Sequence, residues 1–175
     1  MSSSPSTTRP NSVAEQRVRR VLWSVVAIGL AVAALDQLSK WQVVRHWPGE
    51  VVEVTGFFNL VLLCNTGVSF GMLPGESVLK SWILSAFALA VVVGLLVWVR
   101  RKQGLWLVSS SGLVIGGALG NVVDRVRLGC VIDFIDVHAA GWHWPAFNLA
   151  DSAITVGVAL LLVHGLFFDA AESKE

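Results

Sequence analysis

The sequence predicts an all-α membrane protein: four transmembrane helices with a small extracytoplasmic β-sheet or loop cradle. Three observations lead there. Of 175 residues, 54% are hydrophobic and only 14% charged, where a soluble domain carries about a quarter charged residues. Mean hydropathy is +0.67. The apolar residues gather in four blocks, each near the roughly 20 residues that a helix needs to cross a bilayer core. The polar residues that interrupt the blocks collect at one set of span ends. A net charge of +1 leaves no basic surplus for nucleic acid, and none is expected as a partner.

Residues 1–16 are rich in Ser, Thr and Pro and read as a disordered cytoplasmic tail. A single four-helix domain follows over residues 17–170, and 171–175 form a second cytoplasmic tail. Span 1 covers about residues 21–38. It reads as a retained helix, because no small-x-small cleavage site follows; the run ends in Asp36-Gln37-Leu38-Ser39-Lys40. Spans 2, 3 and 4 cover about residues 78–99, 105–123 and 147–168. On span 3, Gly112, Gly116 and Gly120 repeat every four residues, a small-residue stripe that lets helices approach closely. The first outer segment, 41–76, is too long for a turn. Its Val51–Cys64 stretch is rich in Val, Phe and Leu with a break at Gly56, and reads as a hairpin or curved sheet on the membrane surface. The second outer segment, 124–146, is short.

Lysine and arginine set the orientation. Eight of the 13 fall on one side (Arg9, Arg17, Arg19, Arg20, Arg100, Arg101, Lys102, Lys174) and five on the other (Lys40, Arg45, Lys80, Arg125, Arg127). The richer side is cytoplasmic and holds both termini. Tryptophans mark both interfaces: Trp23, Trp98 and Trp106 inside, Trp41, Trp47, Trp82, Trp142 and Trp144 outside. Cys64 and Cys130 read as plain small apolar residues. Both fall on the outer side, where a disulfide is open to them but not implied by spacing.

Ionisable groups near a bilayer core are costly and mark function by default. Asp36, Asp124, Asp133, Asp136 and Asp151 cluster at the outer span ends, with Asn65, Asn121 and Asn148. Asp36 and Lys40 share a helix face at i, i+4 and can pair. Asp124 has Arg125 and Arg127 beside it, which suits an organising role better than proton transfer. Asp133 and Asp151 have no basic residue nearby in sequence. Two such carboxylates brought together cannot easily both ionise, and one keeps a proton. That arrangement suits acid–base hydrolysis, in which one draws a proton from water and the other polarises a carbonyl. Asp136 also lacks a basic neighbour and rivals Asp133. The four histidines show no metal-ligand spacing, and no metal or cofactor is expected. No G-x-S-x-G elbow or phosphate loop is present.

Five blocks then become recognisable. Asp36-Gln-x-Ser-Lys40, Asn65-Thr-Gly67-Val-Ser-Phe-Gly71, Gly120-Asn121-Val-Val-Asp124-Arg125, Val131-Ile-Asp133-Phe134 and Phe147-Asn148-Leu-Ala-Asp151 resemble, in that order, the signature blocks of the lipoprotein signal peptidase (signal peptidase II) family. The resemblance spans about residues 20–168. It implies a four-helix aspartic peptidase of the bacterial plasma membrane, acting near the extracytoplasmic face as a monomer. Its substrate would be a lipid-modified prolipoprotein drawn from membrane lipid, cut on the N-terminal side of the lipidated cysteine. By motif, the catalytic pair falls on Asp133 and Asp151, which decides against Asp136. Asn65, Gly67, Asn121, Asp124, Arg125 and Asn148 match positions that line or order the site. Asp36 and Lys40 match a pair that holds span 1 against it. One position departs: Ser69 stands where the family block carries alanine. Three rival classes are a proton-coupled transporter, a non-catalytic assembly factor and an acyltransferase acting on lipids. The first expects acidic residues along a path rather than at one face; the second leaves Asp133 and Asp151 unexplained; the third lacks a histidine or cysteine nucleophile at a suitable place.

Overall fold

The computed structural model describes residues 11–67, 77–101 and 104–169. The chain runs as α1 (Asn11–His46), β1 (Val52–Thr55), β2 (Phe58–Asn65), α2 (Ser77–Val99), α3 (Leu105–Leu128), β3 (Val131–Ala139), β4 (Trp142–His143) and α4 (Leu149–His164). A π-helical turn, Gly165–Asp169, extends α4. Among the described residues, four helices are long and apolar enough to cross a membrane. Leu30, Phe87, Val93 and Leu162 point outward from them, as lipid-facing side chains do.

Helix α3 is the hub. In its most apolar window 67% of residues are buried, against 17% in each of the other three helices. Its glycines explain why. Added Cβ atoms at Gly112 and Gly116 would strike Ile28, Gly29 and Val32 of α1, and one at Gly117 would strike Ala150 and Ile154 of α4. The small-residue stripe thus seats α1, and a second glycine position seats α4. Val25, Val92, Val99, Val108, Ile115 and Ala118 form the apolar cluster that joins α1, α2 and α3.

Helix α1 differs from the sequence reading at both ends, and α3 runs on to Leu128, past the expected end near residue 123. Helix α1 begins at Asn11, so residues 11–16 are helical rather than tail; 1–10 and 170–175 lie outside the described residues. It also continues eight residues past Leu38. There the Asp36–Lys40 pair and the Arg45 guanidinium, 5.0 Å from the Trp41 ring centre, bridge successive turns. Pro48 disfavours helix at the preceding residue, and the helix stops at His46.

The two connections on one end of the bundle pair with each other. Their strands form one antiparallel sheet in the order β1-β2-β3-β4. Strands β1 and β2 are the expected hairpin, turning at Gly56-Phe57. Strand β3 is the unread element of the short outer segment. Its signal was a β-branched run, Val131-Ile132-Asp133-Phe134-Ile135, between Gly129 and Gly141. Gly129 ends α3 in the left-handed region at φ 77°. Ala140 and Gly141, both at positive φ, make the two-residue turn into β4.

Candidate active site

The site forms where the sheet meets the adjoining ends of α1, α3 and α4. Asn148 caps α4 in extended backbone, and its side-chain oxygen accepts from the Asp151 backbone N–H (2.9 Å). Asp151 Oδ2 accepts in return from the Asn148 N–H (3.2 Å). This reciprocal cap locks Asp151 on the first turn of α4, facing the sheet. The Asn148 Nδ2 donates to Asp133 Oδ1 at 2.7 Å, with longer approaches to Asn121 Oδ1 (3.2 Å) and the Ile132 carbonyl (3.3 Å). An amide has two N–H donors, so the short contact to Asp133 takes one in full. One fully buried asparagine therefore touches both aspartates.

Each carboxylate has a second asparagine. Asn65 Nδ2, at the end of β2, donates to Asp133 Oδ2 (2.8 Å), and the Gly67 N–H donates to Asn65 Oδ1 (2.8 Å). That N–H can only donate, so it turns the Asn65 oxygen to itself and the NH₂ to Asp133. Gly67 takes φ 88°, a conformation that favours glycine. Asn121 Nδ2 donates to Asp151 Oδ1 (2.8 Å), and Asn121 Oδ1 accepts from Lys40 Nζ (3.2 Å). The lysine, again donor only, fixes this amide the same way.

Behind these lies a buried ion cluster. Lys40 Nζ is 2.8 Å from both Asp36 Oδ2 and Asp124 Oδ2. Asp36 Oδ1 accepts from the Ala150 N–H at the start of α4 (2.9 Å). Asp124 accepts from Gln37 Nε2 (2.7 Å) and from the Ile132 N–H of β3 (3.1 Å). Span 1 is thereby tied to α3, β3 and α4 at once. The cation that pairs with Asp124 is Lys40, across the bundle, and not the Arg125 or Arg127 suggested by sequence proximity. The Arg125 charge acts on Asp151, Asp124 and Asp133 together.

Asp133 is 2% exposed. Burial, and then the nearby charge of Asp151, push its carboxyl above the ordinary 3.8, against hydrogen bonds from Asn65 and Asn148 and the charge of Lys40. Asp136, three positions along β3, points to the opposite face. There it accepts from Asn59 Nδ2 (2.9 Å) and pairs with His143 Nδ1 (2.9 Å). Burial pushes the Asp136 carboxyl up, but these partners outweigh it and hold it below 3.8. The structure thus gives different surroundings to the two aspartates that spacing alone left as rivals. Beside Asp151 a cleft of about 390 Å³ opens along α4, lined by Trp144, Phe147, Ser152, Thr155 and Val156.

Cys64 and Cys130 are joined in a disulfide between β2 and β3, Cα atoms 5.5 Å apart. This corrects their reading as plain apolar residues: 66 positions separate them in sequence, and only the β2–β3 pairing brings them together. Gln37, Asn59 and His143 were also missed as members of the polar network, since their partners lie 77 or more residues away or across a strand turn.

Against known proteins, the family model described as signal peptidase (SPase) II matches residues 28–167. A lipoprotein signal peptidase of Burkholderia vietnamiensis is 46% identical over 143 residues, covering 81% of this chain and 86% of its own. One of Cupriavidus taiwanensis is 45% identical, covering 90% of each. A solved bacterial membrane enzyme, determined by the in meso method at 2.3 Å resolution, superposes with TM-score 0.71 at 32% identity, over 86% of this chain and 92% of that one. With four membrane-length helices around this site and matches over most of its length, the chain belongs to the signal peptidase II family and is a multi-pass membrane peptidase.

Proposed function

We propose that the protein removes signal peptides from diacylglyceryl-modified prolipoproteins, cutting on the N-terminal side of the lipidated cysteine with Asp133 and Asp151 as an aspartic dyad. The observation that carries this is the pair of carboxylates presented by β3 and the first turn of α4 and linked through Asn148. The substrate class comes from the relatives, which are lipoprotein signal peptidases by name.

The dyad holds one proton between two carboxyls. The charged member takes a proton from water while the protonated member donates a hydrogen bond to the scissile carbonyl. Attack gives a tetrahedral diol; a proton passes to the departing cysteine amine, the C–N bond breaks, and the pair returns to one proton. Asn65, Asn121 and Asn148 aim the carboxyl oxygens, and the field of Arg125 offsets their negative charge. Neither metal nor cofactor enters these steps. Acyl burial in the membrane, roughly 0.8 kcal/mol per CH₂, supplies binding, and the apolar cleft beside Asp151 receives the chain next to the scissile bond. The enzyme works as a monomer in the bacterial plasma membrane, termini in the cytoplasm and sheet outside.

The test is a gel-shift cleavage assay in detergent with a diacylglyceryl-modified prolipoprotein. Asp133→Asn and Asp151→Asn lose activity by about 10³-fold or more, the scale of removing an acid–base pair; Asp136→Asn still cuts. Normal cutting by either of the first two overturns the dyad.

A further inference from the structure

We propose that the Cys64–Cys130 cystine is a positioning device for catalysis: it holds Asn65 against Asp133, so that the peptidase is fully active only in its oxidised form. The inference rests on the dyad reading above. Asn65 is the last residue of β2 and is exposed. Strand pairing holds this end from the β3 side, where Leu63, Cys64 and Asn65 face Asp133, Ile132 and Val131. Strand β1 pairs only with residues 58–60 of β2. The β2–β3 ladder is irregular between Leu60 and Leu63, which sets residues 63–65 apart from the rest of the strand. Leu63 and Cys64 are exposed as well. The segment that delivers a hydrogen bond to a catalytic carboxylate is therefore a short, exposed strand end that, among the described residues, pairs with β3 alone.

The cystine adds a covalent anchor to that pairing. Cys130 is 2% exposed and sits between Gly129, which terminates α3, and Val131, the first residue of β3. Gly129 is itself tethered, its carbonyl accepting from the Ser81 hydroxyl of α2. The bond thus ties the residue preceding Asn65 to the rigid corner from which the strand bearing Asp133 departs. Asn65 donates to the charged form of Asp133, so its withdrawal lets Asp133 keep its proton to higher pH. Cys64 is open to reagents, as thiol–disulfide exchange requires. In forming the bond, two thiols pass two electrons and two protons to the disulfide of a dithiol oxidoreductase in the outer compartment, which becomes the dithiol.

The experiment uses the full-length protein in detergent. It is assayed oxidised, after reduction by dithiothreitol, and after reoxidation by oxidised glutathione; the thioether of the substrate's lipidated cysteine is untouched by the dithiol. Reduction lowers kcat about tenfold, the scale of a catalytic contact displaced by a fraction of an ångström, and leaves KM within about twofold. The alkaline limb of the pH profile moves to higher pH, and reoxidation restores both. Cys64→Ala with Cys130→Ala behaves like the reduced enzyme. Asn65→Ala shows the same fall, and the triple variant falls no further. Should the cysteine variants fail to fold, the reduction and reoxidation of folded protein decides alone. Unchanged kcat on reduction, or effects of cysteine loss and Asn65→Ala that multiply, overturns the proposal. Activity in Asp133→Asn would instead overturn the dyad, so the two failures are distinct.

Discussion

Asp133 and Asp136 are the same residue type three positions apart on one strand, yet the fold gives them opposite electrostatic characters. Asp133 is raised above 3.8, chiefly by burial. Its folded form holds a proton more tightly than the unfolded chain does. Any stability it adds is present below pH 3.8 and is lost as pH rises through the raised value. Asp136 is lowered by His143 and Asn59, so its contribution is present above pH 3.8 and lost as pH falls through the lowered value. At pH 7, Asp133→Asn should therefore raise the thermal midpoint while Asp136→Asn lowers it, each by a few degrees (~1 kcal/mol corresponds to roughly 2–4 °C at this chain length). Melts followed by tryptophan fluorescence check this; a fall for Asp133→Asn would show that its burial carries no such cost. Stabilisation on removal of Asp133 would be the usual signature of a group held at a cost for function, as the proposed dyad requires.

Lys40 is the second residue-scale test. Its Nζ is the cation of a cluster that contains Asp36 and Asp124, both nearly inaccessible. Lys40→Met leaves two buried carboxylates facing each other, a loss of about 3–5 kcal/mol. Asn121 also loses the donor that sets its amide, so activity should drop in whatever folded fraction remains. Lys40→Arg keeps the charge and should recover part of the stability. A melt and a cleavage assay of both variants suffice, and equal damage from Met and Arg would show that shape rather than charge matters there.

At the scale of elements, α3 organises the molecule through its glycines. A Cβ at Gly116 would collide with the Gly29 carbonyl and Val32, and at Gly120 with the Asp36 carboxylate. Gly116→Val should push α1 away from α3 and cost about 1–3 kcal/mol by overpacking. Because α1 carries Asp36 and Lys40 to the start of α4, cleavage should weaken with it. Gly94 of α2 meets nothing within 4 Å of an added Cβ, so Gly94→Ala serves as the neutral comparison. Equal stability of the two variants would remove the close approach as the reason for the stripe. The outer sheet has a related logic: β2 and β3 come from connections 66 residues apart at the cystine, and their pairing sets Asn65 opposite the strand of Asp133.

For the whole molecule, an even number of spans puts the start of α1 and the end of α4 on one side and the sheet on the other. The basic turn Arg100-Arg101 lies on the termini's side, and the proposed orientation, from the excess of lysine and arginine there, puts that side in the cytoplasm. Alkaline phosphatase fused after Glu175 should be inactive, whereas fusion after Glu50, behind span 1 alone, should be active. The reverse pattern would place the sheet, with Asp133 and Asp151, in the cytoplasm.

Much of this protein was legible along the chain because a bilayer imposes simple rules. A stretch of some twenty apolar residues must be a helix, charged residues inside such stretches need a reason, and a glycine every four residues marks close packing. Four spans, the β1–β2 hairpin, the Asp36–Lys40 pair and the polar cluster all follow from spacing of a few residues. What tertiary structure alone decided involves groups distant in sequence. Strand β3 is defined by pairing with β2, not by its own length. The Cys64–Cys130 bond, the Lys40–Asp124 pair and the choice of Asn148 to touch both aspartates each require residues 15 to 84 positions apart to meet. Spacing along one helix reports its faces; only the packing of α1 and α4 onto α3, with the sheet closing that end, determines which faces meet.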